Sequence, residues 1–90
     1  MKVSVFDTYV TKKNGGMMHF DILVPAGLYN EEKVYEYGRQ YLARKGQDGQ
    51  PLSTSECRFC HIEEATAGVV ADISRQGYSI IEMQGCNETT

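Results

Sequence analysis

No stretch of the chain approaches the roughly 18 consecutive apolar residues that a membrane-spanning helix needs. The amino terminus also lacks a secretory pattern. Met1-Lys2 runs into Val3-Ser4-Val5-Phe6-Asp7, Asp7 and Thr8 interrupt any apolar core, and no small-residue cleavage site follows. The segment reads as a first strand, so the sequence predicts a protein that begins at Met1 and stays in the cytoplasm. Gly-x-Gly-x-x-Gly and Walker phosphate cradles are missing as well, since Gly15-Gly16 belongs to a turn. Basic charge is in deficit: nine Lys+Arg against twelve Asp+Glu give −3 and an isoelectric point near 5.3. That is the wrong sign for phosphate backbone or an anionic bilayer, so neither nucleic acid nor membrane is expected as a partner.

What remains is the composition of an ordinary globular protein, 41% hydrophobic and 23% charged, which argues against intrinsic disorder. Ninety residues leave no room for a second core, so residues 1–90 form a single domain, with 84–90 expected as a flexible tail. Cys57, Cys60 and Cys86 are an odd number in a reducing compartment, which disfavours a disulfide framework and leaves thiol or metal chemistry open.

Hydrophobic periodicity then sets the elements. Val3 to Val10 and Met17 to Val24 are strand-like runs separated by Thr11-Lys12-Lys13-Asn14-Gly15-Gly16, and Asn-Gly is a strong hairpin signal. In the second run Met18, Phe20, Ile22 and Val24 share one face, where hairpin parity adds Phe6, Thr8 and Val10. Val3, Val5, Asp7, Tyr9, Met17, His19, Asp21 and Leu23 share the other. Asn30 caps a helix that opens with Glu31-Glu32, buries Val34, Tyr37, Gly38, Tyr41 and Leu42, and stops at Arg44-Lys45-Gly46. After a turn-rich connector, Gly46 to Leu52, the string Ser53-Thr54-Ser55-Glu56 fits a capping box, and Arg58 to Glu63 alternates like a strand. Glu63-Glu64 lead a second helix burying Val69, Val70 and Ile73 and ending at Gly77, and Tyr78 to Met83 is the last strand.

The order β-β-α-β-α-β makes this an α+β protein. The expectation is a two-layer fold, a four-stranded mixed sheet with a parallel crossover in its second half and both helices on one face. The uncovered face would then carry Val3, Val5, Tyr9, Met17 and Leu23, too apolar for a soluble monomer, and pairing of two sheets as a homodimer is expected.

Phe6-Asp7-Thr8-Tyr9-Val10, Met18-His19-Phe20-Asp21-Ile22-Leu23-Val24, Glu56-Cys57-Arg58-Phe59-Cys60-His61-Ile62-Glu63 and Gly77-Tyr78 resemble the motifs of a small bacterial family known as a domain of unknown function. The resemblance runs from Met1 to about Met83. It implies a small bacterial α/β protein and assigns no catalytic role to any residue.

Two constellations offer chemistry. Cys57, Cys60 and His61 can supply three zinc ligands if a turn lets both sulfurs converge, with Cys86 or His19 as the fourth. The same string read as a dithiol makes Cys57 and Cys60 a redox pair. Read as a haem attachment site it would need an exported chain, which the amino terminus does not support. The plainest alternative is that the cysteines pack as small hydrophobes. The second constellation is Asp7, Tyr9, His19 and Asp21, which parity places on one face, where a histidine and two carboxylates suit a general base or a divalent cation, or a polar cluster that sets register. A binding or interaction module is favoured over an enzyme, with a protein or small molecule as its partner. Zinc is the one cofactor the residues suggest.

Overall fold

The structure is a computed structural model and describes residues 1–28 and 30–86. Two long strands, β1 (Lys2–Thr11) and β2 (Met17–Pro25), form the hairpin, followed by α1 (Glu31–Arg44), β3 (Cys57–Glu64), α2 (Ala67–Gln76) and β4 (Ser79–Gln84). No described helix is long and apolar enough to cross a membrane.

The hairpin keeps the parity expected of it. Val5 faces Leu23, Phe6 faces Ile22, Asp7 faces Asp21 and Tyr9 faces His19 across the β1–β2 ladder. Its turn closes through Lys12 N–H to Gly16 O at 2.7 Å and Gly15 N–H to Lys12 O at 2.9 Å, with Gly15 at φ 89°, a conformation glycine adopts without steric cost. Asn30 caps α1 as expected, its Oδ1 accepting from Glu32 N–H at 3.1 Å. Tyr35 takes a buried place beside Val34, Gly38, Tyr41 and Leu42, while Tyr37 is half-buried. The Ser53 to Glu56 string forms a turn and only half of a capping box. Glu56 Oε1 accepts from both Ser53 N–H and Ser53 Oγ–H, and Cys57 N–H bonds Ser53 O as the chain enters β3. Thr66, not the Glu63-Glu64 pair, opens α2, and Gly77 ends it in the left-handed region at φ 94°.

The sheet order is β3-β1-β2-β4, and every pairing is antiparallel. The expected mixed sheet and parallel crossover are therefore not formed, because β3 and β4 lie on opposite edges. A ten-residue helix spans about 15 Å, close to the roughly 14 Å across three strand spacings. The length of α2 thus suits a path across the sheet from one edge strand to the other, and no return crossover results.

The two helices also divide the faces. The α1 face buries Phe6, Val10, Met18, Phe20, Ile22 and Val24 against Val34, Tyr35, Tyr41, Leu42 and Tyr78. On the other face, Val3, Val5 and Leu23 pack against Val69 and Ile73 of α2. The expectation of both helices on one side is thus corrected. The apolar excess on the second face, which suggests a dimer when the sequence is read alone, is partly covered by α2 itself. The tail expected from residue 84 is anchored as far as Cys86, which is buried and donates its S–H to His19 O at 3.4 Å. Residues 87–90 lie outside the described residues.

Candidate functional site

α2 covers only the end of its face where β1 begins. The other end bears Asp7 and Tyr9 from β1, His19 and Asp21 from β2, and the exposed Ile81 of β4. Period-two alternation puts these side chains on one side, and the antiparallel register brings them into contact. His19 Nε2 stands 2.5 Å from Asp7 Oδ1, and Tyr9 stacks on the imidazole with ring centroids 4.1 Å apart and planes within 10°. Ligand atoms of Asp7, His19 and Asp21 all lie within 4.8 Å of one another, and they are the one such group of three or more among the described residues.

Electrostatics single out Asp21. Partial burial first, then the charge of Asp7 and a hydrogen bond shared with it, hold the Asp21 carboxyl above the usual aspartate range, while His19 and His61 pull the other way. Two carboxylates directly opposite on neighbouring strands repel, and a proton or a cation shared between them would relieve that repulsion. One imidazole nitrogen and two carboxylate oxygens form a donor set for a borderline divalent ion such as zinc or manganese. With three protein ligands a further coordination position is left for water or substrate.

The expected zinc set at Cys57, Cys60 and His61 is not assembled. Cys57 lies on the α1 face beside Thr8, whose Oγ1 is 3.4 Å from its sulfur, and burial pushes its thiol up to about 11. His61 shares the opposite face with Val5, and Cys86 is held at His19 O. A Cys57–Cys60 disulfide is excluded as well. Three strand residues separate their Cα atoms by about 10 Å, beyond the reach of about 7 Å that a disulfide allows. All three described cysteines are free. His19 belongs to the aspartate cluster and to no cysteine site.

Two features escape a reading of the sequence. Glu63 accepts from His61 Nε2 at 2.6 Å, while His61 Nδ1 lies 3.1 Å from Cys60 Sγ. The His61-to-Glu63 spacing of two is the available signal. A shallow apolar cavity of about 300 Å³ between α1 and β3, lined in part by Phe6, Leu28, Phe59 and Ile62, has none, since it depends on how far α1 stands from the sheet edge.

The family model described as "Domain of unknown function (DUF2024)" matches residues 1–83. Among solved structures, the NMR structure of protein NE1680 from Nitrosomonas europaea, a structural genomics target, is 40% identical. It matches 97% of this chain and 100% of its own with a TM-score of 0.83. No curated protein matches. By the span of the family model and the likeness to NE1680 the chain belongs to the DUF2024 family, a domain of unknown function.

Proposed function

We propose that the protein is a small binding protein whose working centre is the Asp7-His19-Asp21 cluster, and that this centre takes one divalent transition-metal ion. The observation that carries the reading is the convergence of an imidazole nitrogen and two carboxylates within 4.8 Å on a sheet face that α2 leaves open. A cation between Asp7 and Asp21 relieves their mutual repulsion, and Tyr9 holds the imidazole plane against rotation. Three free cysteines suit a cytoplasmic, reducing setting, and the Nitrosomonas neighbour supports a bacterial source.

Isothermal titration of metal-freed protein with zinc and with manganese tests the reading. One equivalent should bind, with binding lost in His19→Ala and Asp21→Asn and kept in Cys60→Ser. Equal binding by wild type and Asp21→Asn would remove the site.

A second reading, the sheet-to-sheet homodimer, is favoured by Tyr9, Met17, Ile81 and Met83, which are exposed near this cluster. Sedimentation of wild type and Ile81→Glu decides it. A dimer that the charge dissociates supports this surface, and a monomer at all concentrations ends it.

A further inference from the structure

On a regular strand neighbouring side chains point to opposite faces, so Cys60 and His61 would stand apart. They do not, because β3 carries a bulge. Val5 pairs with His61 and Phe6 with Phe59, which leaves Cys60 as the extra residue between them. The bulge turns Cys60 toward its neighbour, and Sγ comes to 3.1 Å from His61 Nδ1. Two residues on, and on the face of His61, the Glu63 carboxylate takes the other ring nitrogen at 2.6 Å. A carboxylate at Nε2 fixes the proton there and leaves Nδ1 as the acceptor facing the thiol. Nucleophile, base and orienting acid therefore stand in line on the exposed edge strand β3, whereas the three ligands of the proposed metal site are carried by β1 and β2.

We infer that Cys60 is a nucleophilic thiol, with His61 as its base and Glu63 as the positioning residue, and that it is a site of exchange with small-molecule disulfides. In the step, the Cys60 S–H proton passes to His61 Nδ1 and Sγ attacks one sulfur of the disulfide. A Cys60–sulfur bond forms and the original S–S bond breaks. The leaving half departs as a thiolate and recovers the proton from the imidazolium. The protein gains a mixed disulfide and one small thiol is released, so electrons and atoms balance. The other two described cysteines do not compete. Cys57 and Cys86 are buried, and burial keeps the Cys57 thiol protonated well above neutrality. β3 pairs with β1, and the Asp21 carboxylate, one strand further away on β2, also interacts electrostatically with the His61 imidazole.

The test is the rate of mixed-disulfide formation with cystamine, read by intact-protein mass spectrometry with peptide mapping, on chelator-treated protein. One adduct per chain should form, on Cys60. General base help starts near a hundredfold, and partial ionisation of an exposed thiol in water reduces the gain, so His61→Ala should slow the reaction at pH 7 by about tenfold. Glu63→Gln should fall between the two. Near pH 10, where an exposed thiol ionises unaided, the three rates should converge. A merely structural role for His61 would not produce that convergence. Equal rates at pH 7, or an adduct on Cys57 or Cys86, would overturn the assignment. If a variant misfolds by circular dichroism, the wild-type pH profile decides. A rate that follows simple thiol ionisation, with no plateau at lower pH, overturns it equally. Cys60→Ser leaves the Asp7 cluster intact, so the outcome is independent of metal binding.

Discussion

The two faces of one sheet, out of phase by a single residue, have been put to opposite uses. On the α1 face the even-numbered residues of the hairpin meet a fourteen-residue helix, and aromatic contacts close the space between them. Phe20 meets Tyr41 at 4.6 Å, and Tyr37 stacks on Tyr78 at 4.5 Å. The polar tips reach partners at the rim: Tyr41 OH donates to Glu82 at 2.6 Å, Tyr35 OH to Glu31 at 2.9 Å, and Arg44 to Tyr78 OH at 2.9 Å. No buried side-chain nitrogen or oxygen among the described residues lacks a partner. On the other face a ten-residue helix covers only Val3, Val5 and Leu23, and the remaining half bears a histidine, two aspartates and exposed apolar side chains. The apolar residues of this small domain seal one face fully, and the proposed metal site lies where the seal of the other stops.

The strongest way to break this contrast is to cut both faces equally. Phe20→Ala removes a fully buried ring and should cost about 3–5 kcal/mol in urea unfolding. Tyr9→Ala on the open face should cost less than about 1 kcal/mol, since the residue is 47% exposed and its ring stacks on His19. Comparable losses from the two would mean that the open face is covered in solution, as the homodimer requires.

A smaller effect concerns how α2 is held. Ser79, buried at the start of β4, donates to Asp72 Oδ2 at 2.7 Å and ties the helix to the sheet edge. Ser79→Ala should cost about 1.5 kcal/mol at neutral pH, the scale of a hydrogen bond to a charged group. That bond is the largest influence holding the Asp72 carboxyl below its usual 3.8, followed in the same direction by Arg75. A depressed native value means that the stabilisation is complete above 3.8 and is lost as pH falls through the native value. The penalty of Ser79→Ala should therefore shrink in acid. A penalty independent of pH would assign the cost to packing instead of the charge-assisted bond.

How much of this is legible in the sequence follows from how local each feature is. Asn14-Gly15 sets the hairpin, and alternation within Met18 to Val24 is enough to place Asp7, Tyr9, His19 and Asp21 on one face, as the β1–β2 register bears out. Those contacts depend only on a short turn and a period of two. The edge positions of β3 and β4 are not legible, because pairing partners of separate strands are chosen by the packing of α1 and α2. The zinc reading fails for a related reason. Convergence of Cys57, Cys60 and His61 requires a turn that draws the ligands together, whereas β1 holds the string extended, with Cys57 facing Thr8 and His61 facing Val5. The Cys60–His61 contact is equally invisible in the sequence, since it comes from a bulge that exists only in the β1–β3 ladder.

The smallest expected effect discriminates best between the faces, because its sign changes with metal. Partial burial and Asp7 raise the Asp21 carboxyl above its usual 3.8, so in the folded protein it holds its proton to higher pH than in the unfolded chain. Native protein binds more protons across that window, and stability falls as pH rises through it. Above the raised native value the cost of the ionised pair is present in full, and below 3.8 it is gone. Asp21→Asn, measured with chelator, should thus stabilise the protein at pH 7 by about 0.5 kcal/mol, the scale of a like-charge cross-strand pair, and bring no gain in acid. On the α1 face a buried side chain exchanged for a more polar one only destabilises. Adding zinc should reverse the order, raising the melting temperature of wild type by mass action on the native state and leaving Asp21→Asn unchanged. A variant less stable than wild type even with chelator would show that Asp21 serves structure on this face as the aromatic residues do on the other.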